Sequence, residues 1–215
     1  MSTTSSESTR KPLAERLVRE ALAIVAERGP NPLSLREVQR RAQVSPAAAY
    51  RHFADRGALL LAVSQECAGL LADHVAAGIA RLPRSCSEPA AARARLRAGC
   101  EAYLSFAISN PGLYHAIFYS DEQLEELSAP SERARGRGGD GGFTLLVELL
   151  TDVTLAAGGT VLDTRDPVVV WSALHGLALL RLDAALRSLS ADAFAAVRER
   201  TLETIVGAVP VGLAA

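Results

Sequence analysis

Between Gly29 and Arg56 the chain carries a run of stop and start signals that leaves room only for short helices. An apolar row at Leu13, Leu17, Ala21, Ile24 and Val25 predicts a helix over 13–28. Gly29 ends it, and Pro30 and Pro32 keep it from resuming. Ser34 stands at an N-cap with Glu37 three residues on. That is the capping-box spacing, in which hydroxyl and carboxylate each satisfy an orphan backbone N–H. Leu35, Val38 and Ala42 give this second helix its buried stripe. Gln43, Val44 and Ser45 make a turn, Ser45 caps again, and Pro46 takes the first helical position, where its missing N–H costs nothing. A short third helix, 46 to about 53, is followed by a fourth, capped by Asp55 and running to about residue 82. Two short helices joined by so tight a turn form a helix-turn-helix, whose second helix enters a DNA major groove.

The chemistry of 34–56 fits that use. It carries Arg36, Arg40, Arg41, Arg51, His52 and Arg56. Tyr50 and His52, near the end of the third helix, are placed to donate to phosphate oxygens, and Arg51 between them to reach a base edge or the backbone. Arg56 opens the fourth helix, whose positive end adds to its charge. Arg36 approaches the groove from the side. Ser34, Ser45, Pro46, Ala47 and Ala48 complete the surface offered to DNA. Alanine methyls can touch a thymine methyl but read no donor/acceptor pattern, so specificity is expected to lean on Arg36, Ser45, Arg51 and DNA shape. A solvated basic face would explain the arginines, but not the caps, the small residues at 47–49 and the aromatic-basic ending together. Charge is divided to match. Residues 1–56 hold ten Lys and Arg against six Asp and Glu, and the remainder thirteen against eighteen.

The rest of the chain predicts an all-α protein of about nine helices, with no strand period. Its composition, 49% hydrophobic with 5% aromatic, suits helices packed through Ala and Leu. Further helices are expected at 89–109, 143–157, 167–189 and 191–209. An acidic piece lies at 121–127, and 130–142 has the composition of a flexible loop. Residues 1–11 read as a disordered tail without the apolar core of a signal peptide. The domains expected are thus a head over 12–56 and a body over 57–215. Cys67, Cys86 and Cys100 are too few and too scattered for a disulfide framework or a zinc site, and no metal or cofactor is expected. Gly136 to Gly141 spells GxGxxG but follows a charged segment with no strand before it, so it reads as linker. No acid/base constellation suggests an enzyme, and no uninterrupted apolar run suggests a membrane span.

From about residue 12 to 62 the chain resembles the tetracycline-repressor (TetR) family of bacterial regulators. It matches at Gly29, Ser34, Leu35, Arg36, Val38, Val44, Ser45, Tyr50, His52, Phe53, Arg56, Leu59 and Leu60. Gln39 stands where that family usually has Ala, and Gln43 where Gly is usual. A non-glycine forced left-handed there costs on the order of 1 kcal/mol. Residues 103–118 and Trp171–Gly176 resemble the C-terminal domain of a subgroup named for its Trp-His-Gly pattern. The resemblance implies a DNA-binding head, a ligand-binding body and a homodimer formed through the last two long helices.

The expectation is therefore a cytoplasmic bacterial repressor that binds a palindromic operator in double-stranded DNA as a dimer and releases it to a small-molecule effector. Apolar rows at Val168, Trp171, Leu174 and Ala178, and at Phe194, Val197, Thr201 and Ile205, would build the dimer through 167–189 and 191–209. Trp171 and His175 lie one helical turn apart. With Cys100, Tyr103, Tyr114 and Phe118 they are the effector-contact candidates, for a pocket needs apolar walls with a few orienting polar groups. The lining favours an apolar or amphipathic ligand. The competing reading is a helical scaffold whose basic head binds an acidic protein partner.

Overall fold

A computed structural model describes residues 4–118, except 86, and 141–208, with side chains from Pro12 onward. Among these residues the protein is all-α, with nine helices and no strand. They are α1 (Thr4–Arg28), α2 (Leu35–Arg41), α3 (Pro46–Tyr50), α4 (Arg56–Ile79), α5 (Pro89–Ser109), α6 (Pro111–Ile117), α7 (Gly142–Ala156), α8 (Asp166–Asp183) and α9 (Ala191–Ala208). The first helix starts at Thr4 rather than near residue 13, with Pro12 inside it. Cys86, the acidic piece at 121–127 and the loop at 130–140 lie outside the described residues.

The helices belong to two compact units. The first holds α1, α2, α3, the opening of α4 to Gly69, and α6; the second holds the remainder of α4, α5, α7, α8 and α9. The first unit thus continues past residue 56 to Gly69 and takes in α6, which packs on α1. Gly112 is the reason α6 can lie so close to α1: a Cβ there would sit 2.2 Å from the Val25 carbonyl oxygen. Ser64 Oγ adds a bond, donating to the Ile117 carbonyl at 3.2 Å. The core of this unit is Leu17, Ala21, Ile24, Val25, Leu33, Val38, Ala49 and Leu59, each essentially without solvent contact. These include Leu17, Ala21, Ile24 and Val25 of the row expected of α1, whereas Leu13 is half-buried.

In the second unit α5 is the central helix, burying Leu96, Cys100, Tyr103, Leu104 and Ala107. Gly99 lets α7 approach it, since a Cβ there would meet Leu149 Cδ1 at 2.6 Å. The Arg95 guanidinium donates to the Ile79 and Leu82 carbonyls, closing the C-terminal end of α4. Asp152, buried on α7, is bridged by Arg84 through two bonds of 3.2 and 3.3 Å. By length and composition α4 could cross a membrane, yet half of that stretch is buried within the protein, as in the core helix of a bundle.

One expected helix is shorter than its apolar pattern suggested. α8 ends at Asp183, not near residue 189, and 184–190 is turn. Arg181 accounts for the stop. Its Nη1 donates to the carbonyls of Leu186, Arg187 and Leu189, satisfying acceptors that a continuing helix would have used internally. The same guanidinium lies 4.8 Å over the Phe194 ring.

Candidate nucleic-acid interface

The head builds its turn from the signals read in the sequence. Gly29 adopts φ +76, and its N–H reaches the Val25 carbonyl at 2.8 Å, a left-handed stop to α1. Ser34 Oγ accepts the Glu37 N–H at 3.3 Å, and Ser45 Oγ accepts the Ala48 N–H at 3.3 Å. Between them Gln43 takes φ +52, the one non-glycine residue with positive φ among the described residues. Its N–H reaches the Arg40 carbonyl, and the Val44 N–H reaches that of Gln39. This bond pair is the Schellman closure, which needs a left-handed residue at that position. The α2–α3 turn is thus a defined geometry. Asp55 Oδ1 then accepts the Ala58 N–H at 2.8 Å and caps α4.

The second half of the expected capping box is absent. The Glu37 carboxylate does not turn back to Ser34; it binds Arg40 and Arg41, with Arg28 at 3.5 Å. Arg41 also grips Glu27 of α1 through two bonds of 3.1 and 2.8 Å. The Arg40 hydrogen bond holds the Glu37 carboxyl below its ordinary range, and Arg41 does the same for Glu27. Two of the six basic residues of the segment are therefore committed to tying α2 to itself and to α1.

Arg56 is committed too. Its guanidinium donates to the carbonyls of Leu33, Asn31 and Pro30 at 2.9, 3.2 and 3.3 Å, which locks the loop between α1 and α2. Whatever it offers a phosphate comes from a donor set already shared with that loop. Arg36 is different. It is exposed and has no hydrogen bond or ion pair among the described residues. Pro46 and Ala47 are exposed, Ala48 half-buried and Ala49 fully buried, so α3 turns its first two residues outward and anchors through Ala49 and Phe53. Tyr50 is 49% exposed, Arg51 is exposed beside it, and His52 is half-buried. Ser34 is half-buried and Ser45 exposed, each with its oxygen already accepting a cap bond.

In the second unit Tyr103, Trp171 and His175 come together. Trp171 stacks on His175 with ring centroids 5.5 Å apart, and Tyr103 Oη lies 3.5 Å from His175 Nδ1. Phe143, which the sequence reading left out of the cluster, sets its edge on Trp171 at 6.2 Å. Only its place at the start of α7 hinted at this. Burial lowers the His175 pKa and favours the neutral ring. Cys100 is buried on α5, and loss of solvent pushes its thiol up to about 12, which keeps it protonated. Tyr114 and Phe118 belong to the first unit, where their rings meet at 5.2 Å. The six effector candidates are thus divided four and two between the units.

A tight, doubly capped helix-turn-helix joined to a helical unit with no strand among the described residues defines a class of helix-turn-helix regulators. The comparisons place the chain within that class. Residues 17–63 match the model for bacterial regulatory proteins of the tetR family, and 96–205, about half the chain, match the tetracyclin repressor-like C-terminal domain. The chain belongs to the TetR family of transcriptional regulators, which bind DNA. No curated protein matches it. Among solved structures it is similar to a protein of unknown function from Rhodococcus sp. RHA1, with 26% identity over 89% of this chain and 94% of that one and a TM-score of 0.64. It shares its fold with the fatty acid degradation regulator FadR from Bacillus halodurans, at 16% identity over 92% and 96% of the two chains and a TM-score of 0.64. A TetR family transcription regulator from Marinobacter aquaeolei VT8 has the same fold, at 15% identity over 92% and 97% and a TM-score of 0.58.

Proposed function

We propose that this regulator is a cytoplasmic bacterial repressor that binds a palindromic operator as a homodimer and lets go when a small molecule occupies its second unit. The observation that carries the reading is the outward face of the head. Arg36, Tyr50 and Arg51 remain exposed around a rigidly closed turn, while Arg40, Arg41 and Arg56 are spent on the fold. Arg36, Ser45 and Arg51 are the candidate base readers; Ser34, Tyr50, His52 and the remaining reach of Arg56 hold the backbone.

The dimer is supported by the apolar side chains that α8 and α9 leave in solvent. Val168 is 49% exposed, Val169 64%, Leu180 43% and Val197 37%. Leu174, Ala178, Phe194 and Ile205, first counted in the same rows, face the intrachain core instead. The surface for a second copy is thus carried by the other edge of each helix. For the effector, Tyr103, Trp171, His175 and Phe143 supply aromatic walls with one imidazole to orient a polar group, and Cys100 extends the apolar side. The Trp-His-Gly subgroup is the likeness that fits this cluster. Release follows if the ligand favours a form of the second unit that disfavours DNA binding, which takes only a few kcal/mol of differential affinity (about 5.5 for a shift from 1:99 to 99:1).

Selection of bound fragments from the source genome tests the reading. It predicts recovery of a short inverted repeat. Recovery of random fragments, or of none, contradicts it.

A further inference from the structure

The recognition helix is unusually poor in hydrogen-bonding groups. α3 is Pro-Ala-Ala-Ala-Tyr, and its outward positions are Pro46, Ala47, part of Ala48, and Tyr50. Of these only Tyr50 has a polar side-chain atom, and its hydroxyl has no hydrogen-bond partner among the described residues. The preceding Ser45 commits one lone pair of its oxygen to the Ala48 N–H, which leaves its hydroxyl proton and one lone pair to address a base. The geometry around this apolar tip is rigid. The Schellman closure at Gln43 and the Ser45 cap fix its entry, and buried Ala49 and Phe53 fix its exit.

A surface of this kind presented to a major groove can distinguish one feature by contact, the C5-methyl of thymine. Apart from the smaller C5–H of cytosine, the base-edge groups there are donors or acceptors, which hydrocarbon cannot satisfy and would desolvate at a cost. We propose that Pro46, Ala47 and Ala48 form a methyl-reading surface, and that the operator half-sites carry thymines beneath it. Tyr50 sets register on the backbone, while Arg36 and Arg51 address base edges beside these thymines. The inference rests on the reading of the head as a DNA binder and adds to it the chemical feature selected.

The test leaves the protein untouched. In a duplex obtained by genomic selection, each thymine of the protected major groove is replaced in turn by uracil, which removes the methyl and keeps every donor and acceptor. Affinity is measured by fluorescence anisotropy, with uracil outside the footprint as control. Losing one buried methyl is expected to weaken binding about fourfold, and the symmetric pair in both half-sites about fifteenfold. The effect is expected at no more than two or three adjacent positions per half-site. In Ala47→Gly the penalty at one of those positions should shrink. Ala47→Ser, which retains the Cβ, keeps the helix and serves as control should the glycine variant prove unfolded. Unchanged affinity for every uracil duplex overturns methyl reading while leaving DNA binding intact, as would selected half-sites without thymine in the protected groove. Failure to select any sequence overturns both.

Discussion

Gln43 shows how far a single residue can be read from sequence, and where the reading stops. The turn between two caps demands a left-handed residue, and Gln43 adopts φ +52 to meet it. An L side chain there costs roughly 1–2 kcal/mol, part of which glycine would return to its own chain entropy. Gln43→Gly is therefore expected to stabilise the head by up to about 1 kcal/mol in urea unfolding. A loss of stability would mean that the Gln side chain makes a contribution the structure does not show. Gln39, the other departure from the family pattern, has a buried Oε1 with no hydrogen-bond partner. The caps at Ser34, Ser45 and Asp55 were legible because each acts on a backbone N–H three residues away. The destinations of Arg41 and Arg56 were not, because their partners on α1 and in the following loop lie 14 and up to 26 residues off in sequence. At His175 burial disfavours the charged ring, so its folded pKa lies below the ordinary 6.5. Its contribution to stability is fully present above pH 6.5 and is lost as pH falls through that lowered value. The wild type should lose thermal stability as pH falls below 6.5 more steeply than His175→Gln. Equal slopes would remove His175 as the cause. The losses from Glu27 and Glu37 come later, below about 4.5, because their carboxyls are held low.

At the scale of elements, helix existence was legible and helix allegiance was not. The Asn110-Pro111-Gly112 break was evident, but Gly112 is more than punctuation, since it brings α6 against the backbone of α1. A carbonyl oxygen cannot rotate aside as a side chain can. Gly112→Ala is expected to cost about 3 kcal/mol, the upper end for overpacking, and to unfold the first unit at lower urea. A cost near zero would show that α6 can shift freely. The end of α8 was misjudged for a related reason: the apolar period continues past Asp183, while the terminating bonds come from the side chain of Arg181. Arg181→Met should cost about 2 kcal/mol and raise amide exchange across 184–190, with Lys restoring only part because its ammonium does not lie over the Phe194 ring as the planar guanidinium does. Unchanged exchange there would assign the stop to the turn sequence alone.

For the whole molecule, the all-α class followed from composition and period, and the family from a few linked positions in the head. That α6 and the opening of α4 fall in the first unit did not follow, because it depends on which helices they pack against. The proposed dimer surface was likewise only half legible. Period alone marks an apolar row, and burial decides which edge faces the chain's own core and which stays in solvent. Wild-type protein should scatter light as a dimer at micromolar concentration, and Val168→Asp with Val197→Asp as a folded monomer. A monomeric wild type would refute the interface.

The central claim, that the head binds a specific operator through its exposed basic and aromatic face, is tested most directly by one titration. The selected duplex and a scrambled duplex of equal length are titrated with protein across a series of salt concentrations. The account predicts that the logarithm of the binding constant falls linearly with the logarithm of salt for both, at a similar slope. The selected duplex should bind at least about a thousandfold tighter throughout. Equal affinity for the two duplexes, or binding that salt does not weaken, would contradict it.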